Sequence, residues 1–274
     1  VSATAMSAIR TEGFIPPGPG DFNLPPIGAD KTFQFLGETM YLGVTKPMLQ
    51  LVLAAALVFG LLAYSIRKRA MVPGRAQYAG EVSYGFVRNS LARDTIGSKD
   101  FLPFVPYLVA LFFFLLANNL MGIIPGIQFP TFSRVGMAYA LALLSWVVYN
   151  VAGMRRHGVG GYFKLQTVPA GVRGPILILL IPLEFFSNIL VRPVTLALRL
   201  FANMFAGHML LILFALGGEY LLFETSGLTQ LVGPVAWVMF ILITFLEVLV
   251  MFLQAYVFVL LTAMYISSAL ADEH

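Results

Sequence analysis

Apolar and polar positions alternate along this chain on the scale of whole helices. Apolar runs cover about 44–66, 101–124 and 135–154, each long enough for one membrane crossing of about 20 residues. Two later runs, about 175–216 and 228–271, are much longer. From Val235 to Ala271 there is neither glycine nor proline, and an unbroken helix of that length measures about 55 Å against roughly 30 Å of hydrocarbon. Such a helix must slant steeply or bend, since ordinary tilts average about 20°. The pattern therefore predicts a hairpin of two long, strongly tilted membrane helices. Pro182 and Pro193 offer kinks in the first, and Gly217, Gly218, Glu219, Glu224, Ser226 and Gly227 form a polar turn between them. A slanted pair needs a large protein partner, because lipid alone does not favour that geometry.

Residues 1–43, with Pro16, Pro17, Pro19, Pro25 and Pro26, read as an external arm with little regular structure, and 44–274 as a single membrane domain. The first span ends in Arg67-Lys68-Arg69, and Arg75, Arg88, Arg93 and Lys99 follow against only Glu81, Asp94 and Asp100. That bias makes the 67–100 loop cytoplasmic and leaves the N-terminus outside. Arg155, Arg156 and Lys164, after the third span, agree with it. Within the loop, Val82, Phe86, Val87 and Leu91 give an apolar face opposed by Arg88 and Asp94, so an interfacial amphipathic helix is expected over about 78–95. The expected fold is an all-α integral membrane protein with about three near-vertical spans, one cytoplasmic amphipathic helix and the tilted hairpin.

Composition agrees: 59% of residues are hydrophobic and 11% charged, where a soluble domain carries roughly 25% charged residues. With no cysteine there is no disulfide, thiolate metal site or cysteine nucleophile. The net charge of +4 lies in loops and does not point to nucleic acid. Phosphate-binding glycine loops, HExxH and Cys/His metal spacings are missing from the sequence, so no cofactor, metal or nucleotide site is expected in this chain.

The chemistry lies instead in a few polar residues inside the tilted hairpin. Thr195, Arg199 and Asn203 are spaced by four and share one helical stripe, which Arg192 joins seven residues earlier. An arginine keeps its proton at any accessible pH, and placing one mid-membrane costs about 3 kcal/mol on insertion scales. The pattern predicts a buried, wet, positively charged seam. On the last helix Glu247, Gln254, Tyr265 and Ser268 fall within about 60° of one another. With no lysine near it on its own helix, Glu247 is expected to pair with His208 or an arginine. Glu184 heads the fourth run, while Asn118 and Asn119 read as interhelical glue. Carboxylates and imidazole titrate while amides and hydroxyls hold water, which is what a proton relay requires. A self-contained proton channel or secondary transporter is the alternative, but residues 44–154 and 175–271 show no repeat.

LVRPVTLALRLFANMFAGHMLL, then EVLVMFLQAYVFVLLTAMY and a C-terminal ADEH, resemble the a subunits of rotary F-type ATP synthases from about Val44 onward. The resemblance implies a stator that holds two offset aqueous half-channels against a ring of c subunits, with b-type peripheral-stalk subunits and lipids as its other partners. It implies a bacterial-type inner membrane or an equivalent energy-transducing membrane. Arg199 matches the family's indispensable arginine. Asn203, His208, Glu247 and Gln254 match positions lining the outer half-channel, and Glu184 an acidic position near the cytoplasmic one, with Tyr265 on the same exit side. His208 and Glu247 are exchanged relative to some bacterial members, which keeps one acid and one base. Gly122 stands where some relatives carry an acid and receives no role.

Overall fold

In the computed structural model the described residues are 14, 16–18, 32–35, 38–41, 45–67, 73–124, 129–168 and 176–271. Five helices among them are long and apolar enough to cross a membrane. The arm departs from expectation: β1 (Thr32–Phe35) and β2 (Glu38–Tyr41) form an antiparallel hairpin with Thr32 opposite Tyr41 and Phe35 opposite Glu38. Threonine, phenylalanine and tyrosine, which the two strands contain, favour the strand conformation.

The first helix, α1 (Lys46–Ile66), starts on Pro47, whose missing N–H costs nothing in a first turn. It crosses α2 (Arg75–Phe86) so closely that a Cβ on Gly80 would lie 2.7 Å from the Ser65 Cβ. The second helix runs on into a π-helical stretch, Val87–Arg93, and a last turn, Asp94–Ile96. The wider π turn rotates the apolar face. Val87, Leu91 and Ala92 are fully buried and Phe86 sets its ring against Phe112 and Tyr256, whereas Val82, expected on the same face, is exposed. Arg88 stacks on Phe101, 5.9 Å from the ring centre.

At the centre stands α3 (Val105–Met121), burying Leu108, Leu111, Phe112, Leu115, Asn118 and Asn119. Next comes α4 (Val135–Thr167), which does not stop near Met154 as expected. It passes through Gly158, whose φ of 73° is the left-handed conformation that glycine takes at little cost. On a straight helix residues 153 and 162 would lie about 13 Å apart. Here the Tyr162 ring lies flat on Gly153 and its hydroxyl donates to Asn150 Oδ1 at 2.9 Å, so Gly158 folds the last turns back. Arg156 pairs with Asp100 at 2.7 Å.

The fourth apolar run is one long helical span, 177–223, built from α5 (Leu177–Phe185), a π-helical stretch Phe186–Val191 and α6 (Arg192–Phe223). The change of register lies between the two prolines foreseen as kinks. Pro193 has no N–H to offer the carbonyl four residues back, and that carbonyl, of Ile189, accepts instead from the Trp146 indole at 2.8 Å. The helix does not turn at Gly217-Gly218-Glu219 as expected but continues to Phe223. The glycines serve packing, since a Cβ on Gly218 would meet the Trp237 ring at 3.0 Å. The chain reverses over 224–231 into α7 (Val232–Leu270). The last two helices form an antiparallel hairpin in continuous register, from Leu222 on Gly233, through Gly218 on Trp237 and Gly207 on Glu247, to Asn203 on Gln254 and Arg192 on Tyr265. At 47 and 44 residues, these two spans far exceed the roughly 20 residues that cross a bilayer upright. The outward faces of α1 and α7, with Phe59, Phe245 and Leu249 exposed, are apolar.

Candidate functional site

Midway along the hairpin the packing leaves a narrow cleft of about 10 Å³, lined by Asn119, Asn203, Met204, Glu247, Val250, Met251 and Gln254. Three helices build it. From α7, the stripe Glu247–Met251–Gln254 turns inward because Phe245, Leu249 and Phe252 occupy the opposite, exposed side. From α6, Asn203 donates to Gln254 Oε1 at 3.2 Å. From α3, Asn119 donates to the Met251 carbonyl at 3.2 Å.

The Glu247 carboxylate lies over Gly207, where an added Cβ would stand 2.9 Å from Oε1. Only a residue without a side chain leaves room for it. His208, the next residue, is buried, but the expected pairing is not made: neither oxygen of Glu247 has a hydrogen-bond partner among the described residues. The helix register presents the Gly207 backbone, not the imidazole, to the acid. Gln254 Nε2 and Asn119 Oδ1 are also buried without hydrogen-bond partners. Each such atom costs about 1–3 kcal/mol when it is left dry. Together they line a wall suited to water, and a carboxylate in such a wall can take up and release protons. Asn119, expected as interhelical glue, is that in its bond to α7, and it lines the cleft as well. The signal was there: it continues the buried stripe Leu108–Phe112–Leu115 at helical spacing.

Arg199 lies four residues, about 6 Å along the axis, beyond Asn203. Its side chain is exposed on the outside of the chain, with Thr195 beside it, rather than in a buried seam. Among the described residues it makes no hydrogen bond or ion pair. The Thr195 hydroxyl turns back to the Val191 and Arg192 carbonyls of its own helix at 2.9 and 3.0 Å.

A second polar layer lies beyond Arg199. The Arg192 guanidinium stacks on the Tyr265 ring at 5.2 Å, and Tyr265 leans on Tyr149 with ring centres 5.6 Å apart. Nearby, Asn188 Nδ2 is shared between Glu184 Oε2 at 2.9 Å and the Gln166 carbonyl at 2.8 Å. Ser268 is exposed, so of the four polar residues expected on one face of α7 only Glu247 and Gln254 share the cleft. Among the described residues no three His, Asp or Glu side chains are grouped to hold a metal ion.

Comparison with known proteins gives a consistent result. A family model described as "ATP synthase A chain" matches residues 48–267. ATP synthase subunit a of a Nocardioides species is 67% identical over 98% of this chain and 99% of its own length. The subunit a of Paenarthrobacter aurescens is 45% identical over 99% of both chains, and that of Streptomyces lividans 40% identical over 96% of this chain and 90% of its own.

Proposed function

The chain belongs to the ATP synthase A chain family, and from that premise we propose how it works. It is a multi-pass membrane protein, the proton-translocating stator subunit of an F-type ATP synthase, and in our reading it presents Arg199 to a carboxylate on a rotating ring of c subunits. The N-terminus and the 224–231 turn lie outside, and the 67–100 loop lies in the cytoplasm. Protons enter from the outside through water held by Asn119, Asn203, His208, Glu247 and Gln254 and pass to the ring carboxylate. A neutral carboxyl can turn through lipid. After most of a revolution it meets the second half-channel, near Glu184 and Tyr265, with Arg192 braced beside it, and releases the proton. Arg199 stands between the two layers and favours the ionised carboxylate, since a nearby cation stabilises an anion. At about 4 Å and an effective dielectric of 20 that attraction is of order 4 kcal/mol, enough to discriminate protonation states without locking the ring. Lipids and b-type stalk subunits cover the remaining apolar surface.

The observation that carries this reading is an arginine deep in an apolar helix, exposed on the outside, with no anion to meet among the described residues. Buried or lipid-facing charge demands a partner, and here that partner must come from another subunit. Replacing Arg199 by alanine in the assembled complex should abolish ATP-driven proton pumping and coupled ATP synthesis. A cysteine at Leu198 should cross-link to a ring helix. Undiminished coupled synthesis by Arg199→Ala would refute the assignment.

A further inference from the structure

The acid of the second polar layer sits on a thin support. From 181 to 190 every residue except Glu184, Asn188 and Ile189 is exposed, and no residue of α5 is buried. Glu184 and Asn188, four apart, share one stripe of the helix. That stripe faces the end of α4, where Asn188 Nδ2 donates both to the Gln166 carbonyl at 2.8 Å and to Glu184 Oε2 at 2.9 Å. The Gln166 carbonyl lies in the last turn of α4, where carbonyls run out of intrahelical donors.

A second bond ties the same stretch to the same helix, since Trp146 donates its indole N–H to the Ile189 carbonyl at 2.8 Å. Between these two attachment points α4 is itself cross-linked. Asn150 Nδ2 donates to the Trp146 carbonyl at 2.7 Å, and Asn150 Oδ1 accepts from the Tyr162 hydroxyl at 2.9 Å. Tyr162 stands one turn before Gln166, and Ile189 follows Asn188, so the bonds close into a ring. On a straight helix Trp146 and Gln166, twenty residues apart, would be about 30 Å from each other, yet the residues they hold are adjacent. The fold-back at Gly158, with its φ of 73°, is what lets one helix grip neighbouring residues at two points. Tyr162, 1% exposed, keeps the fold-back closed through its buried hydroxyl bond. A ring of this kind tolerates one cut, because the other arm still holds the stretch, but not two.

We propose that this ring positions Glu184, with Trp146, Asn150, Tyr162 and Asn188 as its positioning residues, and that its two arms share the task. The Trp146 bond alone, or the Tyr162–Gln166–Asn188 arm alone, keeps the acid in place. The inference rests on the stator reading for the role of Glu184 and adds what holds that residue. The test uses the complete complex in liposomes, with Glu184→Cys as its only cysteine and an impermeant maleimide on the cytoplasmic side as the probe. Trp146→Phe and Tyr162→Phe should each raise the labelling rate by less than about twofold. Together they should raise it about tenfold, beyond the product of the two, the equivalent of about 1.4 kcal/mol. Tyr107→Phe is the control, because its hydroxyl bonds Ser145 of α4 at 2.9 Å outside the ring. Tyr107→Phe/Trp146→Phe should therefore label as Trp146→Phe does. A purely structural role for Tyr162 makes the two double variants alike, and that result overturns the proposal. A Tyr162→Phe/Trp146→Phe rate no greater than the product of the single effects overturns it too. If that variant does not assemble, Asn188→Ala/Trp146→Phe, which opens the ring at its other joint, is read in its place. Failure of both to assemble would make the ring a folding element and overturn the proposal. With Glu184 restored, passive proton flux separates the two levels. The Tyr162→Phe/Trp146→Phe complex should conduct as slowly as Glu184→Gln, and normal flux through it beside a slow Glu184→Gln counts against the ring. If Glu184→Gln itself conducts normally, the role given to the acid has failed, while the labelling still decides the ring.

Discussion

Two polar layers cross the same hairpin, and they are built in opposite ways. Around Glu247 the polar atoms face one another across a cleft and leave much of their hydrogen-bonding capacity unused. Around Arg192 the groups are braced: guanidinium on the Tyr265 ring, Tyr162 hydroxyl on Asn150, Asn188 between Glu184 and the Gln166 carbonyl. In the proposed function the under-satisfied layer exchanges hydrogen bonds with water and is the one that conducts. A braced layer holds geometry. Arg199 lies between them and belongs to neither, which is the position a separator needs.

That contrast can be broken experimentally, starting where the effect is largest. Glu247→Gln removes the only carboxylate in the cleft, and proton flux should fall roughly 100-fold, the usual scale for a lost proton-transfer group. Normal flux at every pH would make the layer mere packing. Gly207→Ala is subtler. The new methyl would press on the Glu247 carboxylate at 2.9–3.4 Å, and overpacking of about 1.4 kcal/mol corresponds to about tenfold slower flux. Relief of that defect by Glu247→Asp, which shortens the acid, would show that the contact itself is responsible. In the braced region the effect should appear in stability instead. Trp146→Phe orphans the Ile189 carbonyl and should cost about 1–3 kcal/mol, read as a lower melting temperature of the complex, while flux per assembled complex stays within about twofold. A tenfold loss of flux there would mean that the two layers are not separable. At the bottom of the scale, Ser268→Ala, exposed and outside both layers, should change stability by no more than about 0.5 kcal/mol and leave flux unaltered.

The parts of this picture differ in how far they could be read in advance. Arg199, Glu247 and Gln254 stand out in any apolar segment because charge and amide there are expensive. Pro182 and Pro193 mark the fourth run for a disturbance, but Pro182 stays inside α5 and the change of register falls between the two, over 186–191. Asn119 is the interhelical glue its sequence suggests, but an asparagine among leucines does not announce that its amide oxygen also faces a cleft. Gly217 and Gly218 were misread as a turn. Glycine is permissive in loops and equally useful where a tryptophan must come close, and only the position of Trp237 distinguishes the two uses. The amphipathic face expected over 78–95 holds for Phe86, Val87 and Leu91, and only Val82, before the π-helical stretch, is left exposed.

By itself the sequence determined what is local and additive: five apolar runs of stated length, the excess length of two of them, the basic bias of the 67–100 loop, and the residues too polar to sit in lipid without purpose. The tertiary structure alone decided which of those residues meet. The register of α6 against α7 set Gly207, not His208, beneath the Glu247 carboxylate, turned Arg199 outward, and brought Asn119 in from a helix more than eighty residues earlier. A helix repeats every 3.6 residues whatever it packs against, so the sequence can name its faces. Which face a neighbour covers depends on the packing of all the helices together.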